Sequence, residues 1–275
     1  MPVFQQRPIP DFPLGNIPLR EHHAGLAHHG LCFHPHAWIA AADLAAMLAA
    51  GADTLVDSAG TALAWRPPCA SPNSLSAAAS LLIVHPWDLL RANQQLLATA
   101  TGSNILGDLH PSAVIEGHLT LGHGSRILPG VFIEGNVVIG SHCKIGPNCY
   151  IRGATSIGDH CHVGQAVEIK NSILLAGTNV GHLSYVGDSV LGAGVNFGAG
   201  TMTSNLRHDG ANHRAMAAGT LVDTGLRKFG CIVGDAVHTG INTSIYPGRQ
   251  LWPGTSTLPG EVVRHDLPSR SQSLS

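Results

Sequence analysis

Histidine is the side chain that most readily takes and returns a proton near neutral pH, and this chain has 18 of them. His182 has the richest chemical setting. It lies in VGHLSYVGDSVLGAGVNFGAGTMTSN, residues 180–205, together with the phenol of Tyr185, the amides of Asn196 and Asn205, and the glycine-flanked Ala199. Two cations, Arg152 and Lys170, stand 18 residues apart, and His142 and His160 share that spacing, with His118 in the equivalent place of its own repeat. Stacked imidazoles are one route to zinc, which needs three of them neutral and converging. The alternative is that these histidines, like His22, His23, His28, His29, His34 and His36, are solvated turn residues. The six cysteines form no CxxC pair and read as reduced thiols. Cys143, Cys149 and Cys161 occupy one small position of successive repeats and are expected in the core.

The elements that position these groups follow from a fixed period. From Leu109, every sixth residue through Leu175 is aliphatic: Leu109, Ile115, Leu121, Ile127, Ile133, Ile139, Ile145, Ile151, Ile157, Val163, Ile169 and Leu175. Six fits neither a 3.6-residue helix nor a hairpin meander; it fits a short strand and a turn on each side of a three-sided coil. Each coil stacks on the next at about 4.8 Å, with the aliphatics in interior ladders. Arg152 and Lys170 then lie one coil apart, where an ordinary exposed charge would also fall. The period continues less strictly through Val180, Val186, Leu191 and Phe197, and resumes at Val233, Thr239, Ile245, Leu251, Thr257 and Val263. Residues 206–230 break it and read as a loop projecting from the coils, a common place for binding.

Residues 1–103 differ in kind and read as a small α/β domain. Expected are an Ala-rich helix over 37–50, a hairpin of 54–58 with 61–65, a surface loop over 67–76, a buried strand over 81–84, and a helix opened by Pro86 with Asp88 in its first turn. Residues 104–265 form the repeat domain and 266–275 a disordered tail. Charged residues at 12% and a net charge of -2 argue against nucleic acid. The amino terminus does not read as a signal peptide, and the apolar stretch over 38–52 is interrupted by Asp43 and too short to span a bilayer. A cytoplasmic protein away from membranes is expected.

The 180–205 stretch, with GLRKFG at 225–230 and TGINTSIYPG at 239–248, resembles the acetyltransferase domain of archaeal-type bifunctional sugar-1-phosphate nucleotidyltransferase/acetyltransferases. The resemblance covers about residues 80–265. It implies a fold that is mainly β, a left-handed parallel β-helix, and a homotrimer that acetylates an amino-sugar phosphate such as glucosamine 1-phosphate with acetyl-CoA as co-substrate. His182 matches the family's general base and the backbone amide of Ala199 its oxyanion donor. Asn205 and Asn196 match asparagines of the sugar and acetyl sites, Tyr185 the tyrosine after the base, and Arg152 and Lys170 the sugar-phosphate contacts. Charge and location, not the family, suggest Lys228 and Arg227 for the coenzyme phosphates.

Two departures bear on function. Family lysines after the second asparagine are replaced where Ala211, His213 and Arg214 stand. The Gly-rich nucleotide signature is missing, so residues 1–103 look like a truncated nucleotidyltransferase remnant, and no nucleotidyl transfer is expected. Competing readings are a catalytically weak sugar-phosphate or nucleotide-sugar binding or regulatory subunit, and a zinc-dependent protein like the hexapeptide carbonic anhydrases.

Overall fold

The computed structural model describes residues 2–4, 7–68 and 73–269. From residue 104 the backbone winds into a parallel β-helix, so the chain is mainly β as expected. Three interior ladders carry the aliphatics. One runs Leu121, Ile139, Ile157, Leu174, Leu191, Val233, Leu251. A second runs Leu109, Ile127, Ile145, Val163, Val180, Phe197. The third starts Ile115, Ile133, Ile151, Ile169, Val186 and ends at Ile245 and Val263. Nearly all are buried in one continuous core, which no single coil could form alone. Cys143, Cys149 and Cys161 are buried there too, and burial pushes the Cys149 thiol up to about 12.

The six-step reading fails at Leu175. Ile157 pairs with Leu174, so this coil is one residue short, and Leu175 turns outward with Ile173 into a second cluster. That cluster exists because the outward row of the first ladder is itself apolar: Ile173, Val190 and Ile232 are buried beneath a helix of the preceding region.

This helix, α3 (Pro86–Ala98), follows α1 (Leu19–Leu26) and α2 (Ala41–Ala49). Asp88 accepts the His85 amide at 2.7 Å and the Val84 amide at 3.0 Å, fixing the start of α3 as its position implied. Along its length, Trp87, Leu89 and Ala92 press on the β-helix. Asn93, 1% exposed, locks it there: Oδ1 accepts the Gly15 amide at 2.9 Å and the Ser156 hydroxyl at 2.7 Å, and Nδ2 donates to the Ala154 carbonyl at 3.2 Å.

Two local expectations over residues 37–76 change. Ala37–Trp38 is a strand paired with Leu81–Leu82, and the helix begins only at Ala41, because tertiary pairing overrides alanine's helix propensity. Asp43 secures that junction. Burial would raise its pKa, but three amide donors, from Ala78, Ala79 and Ser80, hold it below the usual value. The loop expected over 67–76 contains the strand Ser74–Ser76, added in parallel to Thr54–Val56; residues 69–72 lie outside the described residues. The expected hairpin forms between Thr54–Val56 and Ala62–Trp65. At the other end, the Leu267 amide donates to the Gln250 carbonyl, so part of the expected tail joins the last coil; residues 270–275 lie outside the described residues.

The insertion 206–230 folds back instead of projecting. Its hairpin, Arg214–Ala217 with Thr220–Asp223, buries Ala215 and Ala217, and Phe229 meets Trp87 edge-on at 5.9 Å. Arg91 of α3 donates to the Thr224 carbonyl at 2.7 Å. At its root, buried His213 donates from Nε2 to the Asn205 carbonyl at 3.1 Å, which fixes the neutral tautomer bearing that proton.

Removing Asn93 (Asn93→Ala) strands buried donors and is expected to cost about 2–4 kcal/mol, read as a lower urea midpoint. Burial lowers the His213 pKa from its usual 6.5, so the unfolded chain binds its proton first and stability is lost as pH falls below about 6.5. His23, His36 and His162 shift the same way, burial being the main cause in each. Unfolding midpoints between pH 7.5 and 5.5 should therefore drop, and His213→Asn should flatten the slope.

Candidate functional site

Four of the expected site residues converge outside the third ladder. Stacking aligns Tyr150, Glu168, Tyr185 and Met202 in one outward column, and Glu134, Arg152, Lys170 and Gly187 in the next. Arg152 grips Glu168 Oε1 through Nε at 2.8 Å and Nη2 at 2.7 Å, its guanidinium 5.3 Å from the Tyr150 ring centre. Tyr150 in turn donates to Glu134. Lys170, 8% exposed, places Nζ 2.9 Å and 3.3 Å from the two oxygens of Asp188. The same carboxylate accepts Asn171 Nδ2 at 3.2 Å and Asn205 Nδ2 at 2.5 Å, and Asn205 Nδ2 also donates to the Tyr185 hydroxyl at 2.9 Å. Burial, then the charges of Asp188 and Glu168, push the Tyr185 phenol up, so it stays protonated.

Gly187 has a role here that a residue with a side chain could not fill: a Cβ would sit 2.4 Å from the Tyr185 hydroxyl and 2.7 Å from Asn205 Nδ2. Sequence reasoning missed Glu168, Asp188 and Gly187. The available signal was the position of Asp188 next to Gly187 in the quoted motif, one coil beyond Lys170.

His182, Ala199 and Asn196 belong to the other side of the corner. His182 ends the strand Asn179–His182, and Tyr185 begins Tyr185–Gly187 on the next face. Between them Leu183 takes φ 51°, which turns the chain sharply. The imidazole of His182 is exposed while its carbonyl is pinned by the Gly200 amide at 3.1 Å and the Ser184 hydroxyl at 2.7 Å. Ala199 precedes that Gly200, and its N–H makes no hydrogen bond among the described residues. A groove of about 520 Å³, bordered by Leu183, Ala199, Gly200, Met202 and Ile241, opens there. Asn196 is half-buried on the second face, accepting Asn179 Nδ2 at 2.9 Å.

Arg227 and Lys228 are exposed at the end of the insertion, and neither borders the groove at Ala199. Lys228 borders a small cavity of about 50 Å³ with Arg91, Gln94, Asn171 and Asp188. His142 and His160 stack at 5.1 Å with His123 beyond, but among the described residues no group of three or more His, Cys, Asp or Glu side chains is arranged to hold a metal. A roomier cleft of about 610 Å³ between the three helices is walled by Ala and Leu side chains. Its Gln95 is bonded to Trp38 and Ala79, and His22 and His29 are among its lining residues. No helix among the described residues is long and apolar enough to cross a membrane.

Residues 133–251 match the family model of the GMPPB C-terminal domain. The chain is 38% identical over 182 residues to a bifunctional sugar-1-phosphate nucleotidylyltransferase/acetyltransferase of Sulfurisphaera tokodaii, covering 66% of this chain and 45% of that protein. It is 49% identical over 191 residues to a bifunctional protein GlmU of Methanococcus maripaludis, covering 69% and 46%. The chain thus spans about half the length of the curated relatives it matches. Among solved structures, a Francisella novicida UDP-N-acetylglucosamine acyltransferase aligns at 15% identity over 60% of this chain and 63% of its own, with TM-score 0.22. On these sequence matches, the chain is similar over about two thirds of its length to part of the bifunctional sugar-1-phosphate nucleotidyltransferase/acetyltransferases.

Proposed function

We propose that this chain transfers an acetyl group from acetyl-CoA to the amine of an amino-sugar phosphate such as glucosamine 1-phosphate. The observation that carries the reading is the corner at Leu183. It sets an accessible imidazole and an unbonded backbone N–H on one side and a bonded cluster of cations, amides and a phenol on the other. An ammonium cannot attack a thioester until it is deprotonated, and His182 takes that proton. The free amine adds to the thioester carbonyl, whose developing oxyanion the Ala199 N–H receives. As the intermediate collapses, its nitrogen gives up a second proton and the CoA thiolate is expelled; of the two protons lost by the amine, one ends on the thiolate and the other passes to water, leaving His182 neutral again.

Each cation is paired with a carboxylate, and Arg152 is the more accessible phosphate contact because its side chain is 35% exposed against 10% for Lys170. Asn196 and Asn205 hold sugar and acetyl groups, and exposed Arg227 and Lys228 are assigned to the coenzyme phosphates. The α/β region has no Gly-rich phosphate loop, and no nucleotidyl transfer is expected of it.

The two sides of the corner face different directions in one chain, so a second copy completes the site. Exposed apolar residues favour this: Leu183, Ile241 and Leu258 are 61%, 53% and 74% exposed along the same edge. A homotrimer covers them. The closed Lys170–Asp188 pair gives some support to a competing reading, a sugar-phosphate binding subunit without turnover.

Thiol release from acetyl-CoA with glucosamine 1-phosphate should be seen for the wild type and fall at least about 100-fold in His182→Ala. Binding of the sugar phosphate without thiol release would favour the binding subunit. In sedimentation the wild type should run as a trimer and Leu258→Asp as smaller species; a monomeric wild type would end the shared-site proposal.

A further inference from the structure

We infer that Asp188 is the positioning residue of the acceptor side of this site, an inference that rests on the acetyl-transfer reading. Its backbone is fixed at both ends: its N–H donates to the Lys170 carbonyl at 2.8 Å, and its carbonyl accepts the Gly230 amide at 2.8 Å. It holds φ 50°, a conformation that Asp tolerates better than most residues with a side chain. That bend carries the residue to the corner just past Gly187, so the carboxylate reaches across coils instead of along its own column. It is 7% exposed, and it gathers Lys170 from the coil beneath, Asn171 beside it, and Asn205 at the entry to the insertion.

The consequence is a chain of dependence. Asn205 Nδ2 spends one hydrogen on Asp188 and the other on the Tyr185 hydroxyl, so the amide plane and the phenol are both set by where the carboxylate sits. Lys170 is set by it directly. Gly230, whose amide bonds the Asp188 carbonyl, closes the insertion, so both ends of residues 206–230 are tied to this one residue. Arg91 and Lys228 also border the cavity beside it, so α3 and the insertion share the anchor. A bare counter-ion for Lys170 would need only the charge; the amide and phenol contacts need the position.

The test uses the full chain, with acceptor and donor kinetics measured separately on glucosamine 1-phosphate and acetyl-CoA. Asp188→Glu keeps the charge and moves it by one methylene. Asp188→Asn keeps the size, removes the charge, and can set an N–H against the Asn205 amide. Both are expected to raise the acceptor KM at least about 10-fold and to change the acetyl-CoA KM clearly less, even with Lys228 at the edge of the same cavity, a split that simple loss of folded protein would not produce. If Asp188→Asn fails to fold, Asp188→Glu still decides. An Asp188→Glu enzyme kinetically equal to the wild type would overturn the inference and reduce Asp188 to charge balance, with the acetyl-transfer reading intact. A wild type that neither acetylates nor binds the sugar phosphate, by thiol release and by calorimetry, would overturn both.

Discussion

Everything in this molecule depends on one constraint: each coil must lie flat on the next, at strand spacing, for its backbone groups to be satisfied and its interior closed. Side chains that would lift a coil are excluded. At Gly164 an added Cβ would fall 1.8 Å from the Gly181 carbonyl oxygen of the next coil. At the inner corners small polar residues carry hydrogen bonds from coil to coil. Ser189 Oγ, for example, donates to the Gly187 carbonyl at 2.8 Å and accepts the Cys231 amide at 3.0 Å. Because stacking is what is conserved in space, a coil can lose a residue at Leu174 or gain the whole 206–230 insertion, provided the next ladder residue lands on the one before it.

Stacking also converts sequence separation into chemical neighbourhood. Residues about one coil apart in the chain, such as Arg152, Lys170 and Gly187, become adjacent along a column, and single side chains reach between columns. The polar cluster around Asp188 is built this way. Glu168 and Asp188 each hold a cation, and the absence of a side chain at Gly187 leaves room for Tyr185 and Asn205 to meet over it. A buried carboxylate with one cation and two amide donors is well compensated, and its removal would leave Lys170 as a buried charge without a partner.

The three outer faces have different fates. One is apolar and is sealed by α3 and the insertion, so Trp87 and Phe229 become part of a core shared by the two regions. The other two meet at the Leu183 corner, where charged, amide and imidazole groups remain near solvent and exposed apolar residues border them. The α/β region therefore does more than precede the β-helix. Through Asn93, Arg91 and the helix face between them it fixes the position of the insertion that begins just after Asn205.

The sequence by itself determined the class of the fold, because a six-residue aliphatic period leaves few other ways to bury Ile133, Ile151 and Ile169 together. It also pointed to the α3 helix, the 54–65 hairpin and the core placement of Cys143, Cys149 and Cys161. The tertiary structure decided the rest. The shortened coil at Leu174 was not legible because Leu174 and Leu175 are both leucine, and only the covering helix chooses which faces in. Ala37 and Trp38 form a strand because Leu81 and Leu82 offer backbone partners distant in sequence. Glu168, Asp188 and Gly187 gained roles only when stacking brought them to Arg152, Lys170 and Tyr185, since spacing places residues in a column but does not say which side chains will bond across it.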